Sequence, residues 1–463
     1  MSEINMGAEG KCKSPERFSL KPERVTIIGA GISGLVTAYC LLKKGIKVTL
    51  IDTRNPLNEK NTPSCGGCGG LIQNQTIDLL HEIDLHPEKD SDRQIIRDYP
   101  LGYEVYFPAG KVLTLPLKDQ TMWTMCRGFG PIGDGNKQIG IDGWLFEQVQ
   151  KIGKPETFEF IQGKVAKVEL GVEKKANIRL TSDRTISTDF VVDASGAKSS
   201  LSTGSSIKYQ YPDGVTPMDS PEVRRSLTME FRIDKPDENK SRYIRVVTIP
   251  DKDSNVWFAA VIPKGRHVTL VLMGKNDVKT EDVPKFMQYL RDNKIKILPK
   301  NIVDNVIKNG AKLLRCTECL CNQGAIVVKP SQKYLVDAPG GAVKVGDQGS
   351  TKVFKDGIGG AVQSAKLIAD AIAQGDFQQS QEKLREIFPP NDYFYAQVII
   401  GINDLMLRFP HIPKLLSFIG KNKIPLLSHL MDVYMGHLLT GDIPYKDMIP
   451  MIKYLIDPLI KIM

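Results

Sequence analysis

The chain has 463 residues, enough for two or three domains, and its 41% hydrophobic content is ordinary for a globular protein with a sizeable core. The formal net charge of +9 is spread along the chain rather than gathered into basic blocks, which argues against a nucleic-acid partner. Residues 1–22 form a polar leader without a secretory signal, and no apolar run reaches membrane-spanning length. These features predict a cytoplasmic protein and leave peripheral contact with a membrane open.

The first patterned segment, from Val25 to Asp52, predicts a βαβ unit: an apolar strand, a helix and a second apolar strand that ends in an acid. Gly29 would allow the tight turn, Gly31 would let the backbone approach a pyrophosphate, and Gly34 would let the helix pack on the strands. Asp52 stands where a carboxylate accepts hydrogen bonds from a ribose. The strand, the helix and the acid all surround the glycine motif, so the segment predicts dinucleotide binding.

A stretch rich in Gly, Pro and Asn from Asn55 to Gly70 predicts a long loop, and such loops are usually functional. It carries Cys65 and Cys68, which we place as candidate catalytic residues, and three further cysteines lie within residues 316–321. The pair can be a redox dithiol, half of a metal site or two incidental thiols. Because the spacings do not complete a four-cysteine motif and no two histidines form a ligand-like pair, we predict no metal site.

The next segments predict a helix over 75–83, extended chain over 103–117, a helix over 142–152 and strands over 165–180. Arg127 precedes the second of these helices and is surrounded by glycines and a proline. A guanidinium in such a setting is a candidate for bidentate binding of a cofactor phosphate.

Two later apolar strands each end in small residues and an acid, at residues 190–196 and 341–349. The second is followed by a glycine-rich helix start, whose N-terminus can stabilise negative charge, while Asp347 can bind a polyol hydroxyl. The candidate cofactor-binding residues of these two segments are Asp193, Gly196, Gly346, Asp347, Gly357, Ile358, Gly359 and Gly360.

Long alternating segments between residues 203 and 321 predict an antiparallel sheet with one face on a ligand or on the first domain. After Phe394 the Leu-, Ile-, Met- and Pro-rich sequence predicts helices, either core helices or a lipid-facing surface. The expected fold is therefore of the α/β class. Its predicted parts are a Rossmann-like cofactor-binding domain at 23–202 and 322–375, an inserted antiparallel-sheet substrate domain at 203–321, and a helical C-terminal region at 376–463.

The order of these motifs resembles the FAD-dependent oxidoreductases of the glutathione-reductase type, in the branch with p-hydroxybenzoate hydroxylase, flavin halogenases and geranylgeranyl reductases. The resemblance spans residues 24–375. It implies that FAD is the cofactor and that the glycines and acid of the first unit hold its ADP half. It also implies that Asp347 meets the ribityl or pyrophosphate portion, and that residues 357–361 lie beside the pyrimidine end of the flavin.

Within that branch the chain is most similar to the geranylgeranyl reductases. The similarity rests on Cys68 with its following Gly-Gly-Leu-Ile, on Arg127 followed by an Asp-x-x-Leu helix, and on a strand that ends in Ile-Pro-Lys-Gly. In that strand Ala260 stands where the family carries a tryptophan, and only the Ile-Pro end matches the halogenases. The resemblance implies that the strand contacts substrate through Phe258, Ala260, Ile262 and Pro263.

This resemblance implies that the enzyme reduces carbon–carbon double bonds of an isoprenoid or other lipid-like substrate, with hydride from reduced flavin and electrons from NAD(P)H or ferredoxin. Two alternatives stay open. One is a flavin monooxygenase or halogenase that acts on an aromatic compound. The other is an electron-transfer flavoprotein that passes electrons to a quinone or ferredoxin, which the cysteines and the basic charge favour slightly.

Overall fold

The computed structural model describes residues 21–57, 70–90, 95–107, 111–117, 122–127, 129–131, 137–197, 207–232, 242–249, 254–264, 267–310, 322–349, 351–354, 356–408 and 444–450. Cys65, Cys68, the cysteines of residues 316–321 and most of the polar leader lie outside the described residues. Elements are numbered β1–β22 and α1–α8 in chain order.

A six-stranded sheet forms the centre of the first domain. In spatial order its strands are β10 (Phe158–Gln162), β2 (Lys47–Asp52), β1 (Arg24–Ile28), β14 (Phe190–Asp193), β22 (Ala342–Lys344) and β21 (Leu335–Val336). The first five are parallel and β21 is antiparallel to β22. Their near-continuous apolar sequences fit a parallel sheet that is buried on both faces. The carboxyl ends of the parallel strands therefore meet at one edge.

Helices cover one face of this sheet and a second sheet covers the other. The helices are α1 (Ile32–Lys43), α2 (Asn74–His81), α3 (Ile141–Ile152), α6 (Gly357–Gln374) and α7 (Gln378–Ile387). The opposing sheet has the order β13 (Thr185–Thr188), β12 (Lys175–Leu180), β11 (Val165–Val172) and β15 (Lys208–Gln210). Apolar side chains fill both layers, with Leu35, Leu50 and Phe146 in the helical layer and Ile51, Val168 and Ile178 in the other.

A seven-stranded sheet forms the second domain. Its order is β20 (Asn322–Lys329), β16 (Glu222–Arg232), β19 (His267–Gly274), β18 (Val256–Lys264), β17 (Tyr243–Thr248), β5 (Gly102–Phe107) and β6 (Lys111–Pro116). All neighbours are antiparallel except β17 and β5. This sheet draws strands from 102–116 and 322–329, outside the predicted range of 203–321. Strand partners so distant in sequence leave no mark in local alternation, which explains the difference.

The two faces of the seven-stranded sheet have different neighbours. One face packs on α4 (Asp282–Asp292) and α5 (Lys300–Asn309) through residues such as Leu270 and Phe286. The other face includes Ala260 and Ile262 and packs with Met122 of the first domain's small sheet. That small sheet has the order β3 (Leu71–Gln73), β7 (Met122–Met125) and β4 (Ile96–Asp98).

The remaining elements are the pair β8 (Phe129–Pro131) and β9 (Lys137–Ile139), and α8 (Asp392–Arg408), with residues 445–450 also helical. In the described part of the C-terminal region, Ala396 and Ile399 of α8 pack with Tyr445 and Val353 in a small core. Within the described ranges, no helix has the length and apolar character needed to cross a bilayer. The α/β class with a Rossmann-like sheet, further sheets and C-terminal helices is confirmed.

Candidate cofactor and substrate site

The three glycines of the loop between β1 and α1 differ in the space that a side chain would find at each position. A Cβ atom at Gly29, where φ is +109°, would lie 2.3 Å from the carbonyl oxygen of Ala194, and one at Gly34 would lie 1.9 Å from the carbonyl oxygen of Gly29. These two glycines are therefore required by the packing of the chain itself. At Gly31 the nearest atom to a built Cβ is Nη2 of Arg127 at 3.8 Å. The space beside Gly31 is open, as a bound pyrophosphate requires.

The N-terminus of α1 faces this open space. Gly31 is its N-cap in extended conformation, no side chain of the described residues caps it by a hydrogen bond, and its first turn has no acid. The first N–H groups of a helix have no partner within the helix and carry a partial positive charge. This helix end therefore fits an anionic phosphate group.

Asp52, at the end of β2, is tied to the backbone on both sides. Its Oδ2 accepts a hydrogen bond from the N–H of Ala30 at 2.7 Å, and its Oδ1 accepts one from the N–H of Arg54 at 2.8 Å. The carboxylate thus fixes the glycine loop against the turn that follows β2. Oδ1 also accepts from Oγ1 of Thr53 at 3.4 Å, whereas Oδ2 keeps a second lone pair. Acceptance of a ribose hydroxyl therefore stays a prediction.

Arg127 follows β7 and forms a bidentate ion pair with Asp142 in the first turn of α3. Its Nε and Nη2 donate to the two carboxylate oxygens at 3.0 and 2.7 Å. Burial opposes the charged form of Arg127, but Asp142 and then Asp347 outweigh this effect and raise the pKa of the guanidinium. A permanent cation, 29% exposed, therefore lies beside Gly31. Contact of Arg127 with a cofactor phosphate stays a prediction. It would use the N–H groups of the guanidinium that do not bond to Asp142.

Asp347 follows β22 and lies close enough to Arg127 for their charges to interact. Gly346 has a φ of +59°, and the carboxylate of Asp347 accepts a hydrogen bond from Oγ1 of Thr351 at 3.3 Å. A Cβ atom at Gly357 would lie 3.4 Å from Oδ1 of Asp347, so this acid lies against the start of α6. Burial raises the pKa of Asp347, and Arg127 opposes that shift. Segments from three distant parts of the sequence thus meet at one edge of the sheet.

The N-terminus of α6 is capped by Asp356, which has left-handed backbone geometry. Its Oδ1 accepts from the N–H of Gly359 at 3.1 Å, and Nζ of Lys352 donates to its Oδ2 at 2.6 Å. A Cβ at Gly359 would lie 2.5 Å from this carboxylate, and one at Gly360 would lie 3.0 Å from Oγ1 of Thr351. These two glycines therefore accommodate the cap and its neighbour. Contact of Gly357 and Ile358 with the flavin stays a prediction.

Asp193, at the end of β14, bonds groups of the chain itself. Its Oδ1 accepts from the N–H and Oγ of Ser195 at 3.1 and 2.6 Å, and its Oδ2 accepts from the hydroxyl of Tyr209 at 2.8 Å. Gly196, with a φ of +75°, accepts a hydrogen bond from Nε2 of Gln348 at 2.7 Å. The turn after β14 is thereby joined to the turn after β22. Direct contact of Asp193 or Gly196 with the cofactor stays a prediction.

The candidate substrate residues Phe258, Ala260 and Ile262 alternate along β18 and belong to the cluster that faces the first domain. Pro263 is buried at the end of the same strand. Lys264 follows, only 6% exposed, and a Cβ at Gly70 would lie 2.6 Å from its Nζ. Lys264 belongs to the Ile-Pro-Lys-Gly end of the predicted strand, but the sequence assigned it no role in the site. The available signal was a lysine at the end of an otherwise apolar strand.

Gly70 connects this strand to the predicted cysteine loop. Its carbonyl accepts a hydrogen bond from the N–H of Met125 at 2.9 Å, two residues before Arg127. The end of the loop is therefore held between Lys264 and the Arg127 segment. Cys65 and Cys68 lie outside the described residues, so their role stays a prediction. Asp142 was likewise not predicted as a site residue, although it follows Arg127 in the motif that suggested the family.

Comparison with known families and structures bears on the cofactor and on the fold. Residues 24–108 match the family DAO, FAD dependent oxidoreductase. No curated protein sequence gives a significant match. Similar solved structures include p-nitrophenol 4-monooxygenase PnpA from Pseudomonas putida DLL-E4, with 14% identity, coverage of 90% of this chain and 98% of that chain, and a TM-score of 0.59.

Two further structures have the same fold. PqsL from Pseudomonas aeruginosa, in complex with 2-aminobenzoylacetate, is 14% identical, covers 86% of this chain and 98% of its own, and has a TM-score of 0.54. A flavoprotein/dehydrogenase from Cytophaga hutchinsonii is 16% identical, with coverage of 86% and 99% and a TM-score of 0.52. The family match identifies FAD as the cofactor and the chain as an FAD-dependent oxidoreductase. The geranylgeranyl reductase subfamily belongs to the proposal below.

Proposed function

We propose that this FAD-dependent oxidoreductase reduces a carbon–carbon double bond in an isoprenoid or other lipid-like substrate. The observation that carries the proposal is the apolar face of β18 and its neighbours. That face is turned toward the first domain and ends at the buried ammonium group of Lys264. When bound, reduced FAD would supply hydride to one carbon of the double bond, and a proton would complete the other carbon. The chain supplies the apolar wall and the cationic end group.

The apolar wall is continuous across four strands. Tyr103 and Leu115 from β5 and β6, Val246 from β17, and Ala260 and Ile262 from β18 share one buried cluster. An isoprenoid is stabilised on such a surface mainly by burial of its carbon chain, at roughly 0.8 kcal/mol for each methylene group.

Lys264 places a cationic group at one end of the apolar face. Its Nζ lies at the end of the strand beside Gly70, and β7 leads from there to Arg127 beside the open space at Gly31. In the proposal, the ammonium group holds the polar end of an otherwise apolar substrate. Ala260 leaves more room in this wall than the tryptophan of the related strand, which favours a branched or thicker substrate.

The test is anaerobic incubation of the dithionite-reduced protein with geranylgeranyl diphosphate and geranylgeranylated lipids, followed by mass spectrometry. The expected result is a gain of two hydrogens for each reduced double bond. Ala260→Trp should shift preference toward slimmer chains, Ala260→Val should shift it less, and both should keep wild-type FAD content. Absence of double-bond reduction across a range of isoprenoids would overturn the proposal.

A second candidate is an aromatic monooxygenase. The observation that favours it is that p-nitrophenol 4-monooxygenase and PqsL with bound 2-aminobenzoylacetate share the fold over 86% or more of this chain. This candidate predicts that phenols or anilines accelerate NAD(P)H consumption in air and that the product gains one oxygen atom. Electron delivery to a quinone or ferredoxin, without any change in a small substrate, would instead favour an electron-transfer flavoprotein.

A further inference from the structure

Two histidines and a glutamate come together at the end of α2. His81 is the last residue of that helix, His86 precedes the following 3-10 turn, and Glu88 lies within that turn. One side-chain ligand atom from each of the three lies within 4.8 Å of the others. The histidine ring centroids are 4.5 Å apart. The chain reversal brings into one cluster residues that no regular spacing in the sequence marks.

The nitrogen–oxygen distances in the cluster lie on either side of the separation between ligand atoms of tetrahedral zinc. Nε2 of His81 and Nδ1 of His86 lie 2.9 and 3.7 Å from Oε1 of Glu88. His81 Nε2, His86 Nδ1 and Glu88 Oε2 are shielded from solvent and lack a hydrogen-bond partner of suitable geometry among the described residues. Donor atoms of tetrahedral zinc are about 3.3 Å apart, given bonds of roughly 2.0–2.2 Å. Buried donor and acceptor atoms normally have partners, so these three require an explanation.

We propose that His81, His86 and Glu88 bind a zinc ion, with the fourth position open to water. Two imidazole nitrogens and one carboxylate oxygen form a donor set that suits zinc, whereas magnesium prefers oxygen ligands in octahedral geometry. The side chains are 35%, 35% and 26% exposed, so the cluster lies near the protein surface although the ligand atoms are shielded. No ion was predicted here from the sequence.

The bound ion would fasten the end of α2 to the turn that follows it. That turn is already attached to α3, because Nε1 of Trp144 donates to Oδ2 of Asp90 at 3.1 Å. The other end of α2 begins directly after β3, the strand next to Gly70. The zinc ion would therefore stabilise the segment that supports the predicted cysteine loop.

The experiment uses the full chain without a histidine tag. Zinc content of the purified protein is measured by elemental mass spectrometry, and zinc affinity by competition with a chromophoric chelator after treatment with EDTA. One zinc per chain is expected, and zinc but not magnesium should raise the melting temperature, since an ion that binds only the folded state stabilises it.

His86→Gln and Glu88→Gln should each weaken zinc binding by more than about 100-fold, because even loss of residues that only orient metal ligands costs 10–100-fold. The matched control is Asp84→Asn, an exposed acid in the same loop that pairs with Lys43. This variant should bind zinc as the wild type does. Absence of stoichiometric zinc binding, or equal affinity in His86→Gln and wild type, would overturn the proposal and leave a direct contact between histidine and glutamate.

Discussion

Substitution of Gly31 should remove FAD without unfolding the protein. Gly31 has φ of −84° and ψ of −177°, an extended conformation that any residue adopts, and a Cβ there would meet only Arg127 Nη2 at 3.8 Å. The Cβ of Gly31→Val therefore has room in the apoprotein, and its methyl groups need only the flexible end of the Arg127 side chain to move. In the complex, however, the side chain would occupy the space in which the backbone N–H groups meet the pyrophosphate.

The size of the effect follows from the hydrogen bonds that the valine side chain would prevent. A hydrogen bond to a charged group contributes about 1.5–3 kcal/mol, so the absence of two such bonds weakens FAD binding by roughly 3–6 kcal/mol. That range corresponds to about 10²- to 10⁴-fold in Kd. Flavin absorbance after gel filtration gives the FAD stoichiometry, and fluorescence quenching of added FAD gives the affinity. The melting temperature of the apoprotein shows whether the variant is folded.

Gly34→Ala is the informative comparison. Its Cβ would lie 1.9 Å from the carbonyl oxygen of Gly29, so this variant should lose stability and soluble yield whether or not FAD is present. The reasoning would be refuted if Gly31→Val retained one FAD per chain with wild-type affinity. It would also be refuted if the Gly31→Val apoprotein melted as early as Gly34→Ala.

Three further predictions follow from buried and charged groups. Asp142→Asn leaves Arg127 without its carboxylate partner and should lower the free energy of unfolding by roughly 1–3 kcal/mol in urea titrations. This is less than for a fully buried pair, because Arg127 is 29% exposed. The control Glu169→Gln, at a more exposed ion pair, should change the free energy of unfolding by under about 1 kcal/mol. Burial raises the pKa of Cys40 to about 12, so iodoacetamide at pH 8 should leave this thiol unmodified in the native protein. Peptide mass spectrometry measures the alkylation rate, and alkylation as fast as in the unfolded chain would contradict the prediction. Cys68→Ser should slow substrate reduction more than it weakens FAD binding, and unchanged turnover in stopped-flow assays would remove the thiol from the mechanism.

The features read correctly from the amino-acid sequence are those encoded over short distances. The βαβ unit from Val25 to Asp52 requires only alternation of apolar residues, helical periodicity and glycines at fixed spacing, all within one short segment. The helix that begins at Gly357 was recognisable for the same reason, from its glycines and the acid before them. The steric demands that distinguish Gly29 and Gly34 from Gly31 agree with the roles expected from the motif. These local patterns predicted dinucleotide binding, and the family resemblance that their order carries implied FAD.

The features that required the folded chain are contacts between residues that are distant in sequence or that meet through an irregular turn. β5 pairs with β17, so Gly102 lies opposite Tyr243, and no local pattern in either strand specifies that partner. Arg127 is held by Asp142 because α3 begins where β7 ends in space, and Lys264 reaches Gly70 because two domains meet. The His81–His86–Glu88 cluster arises from a chain reversal without periodicity. Local propensity is set by neighbouring residues, whereas these contacts are selected by burial and packing of the whole chain.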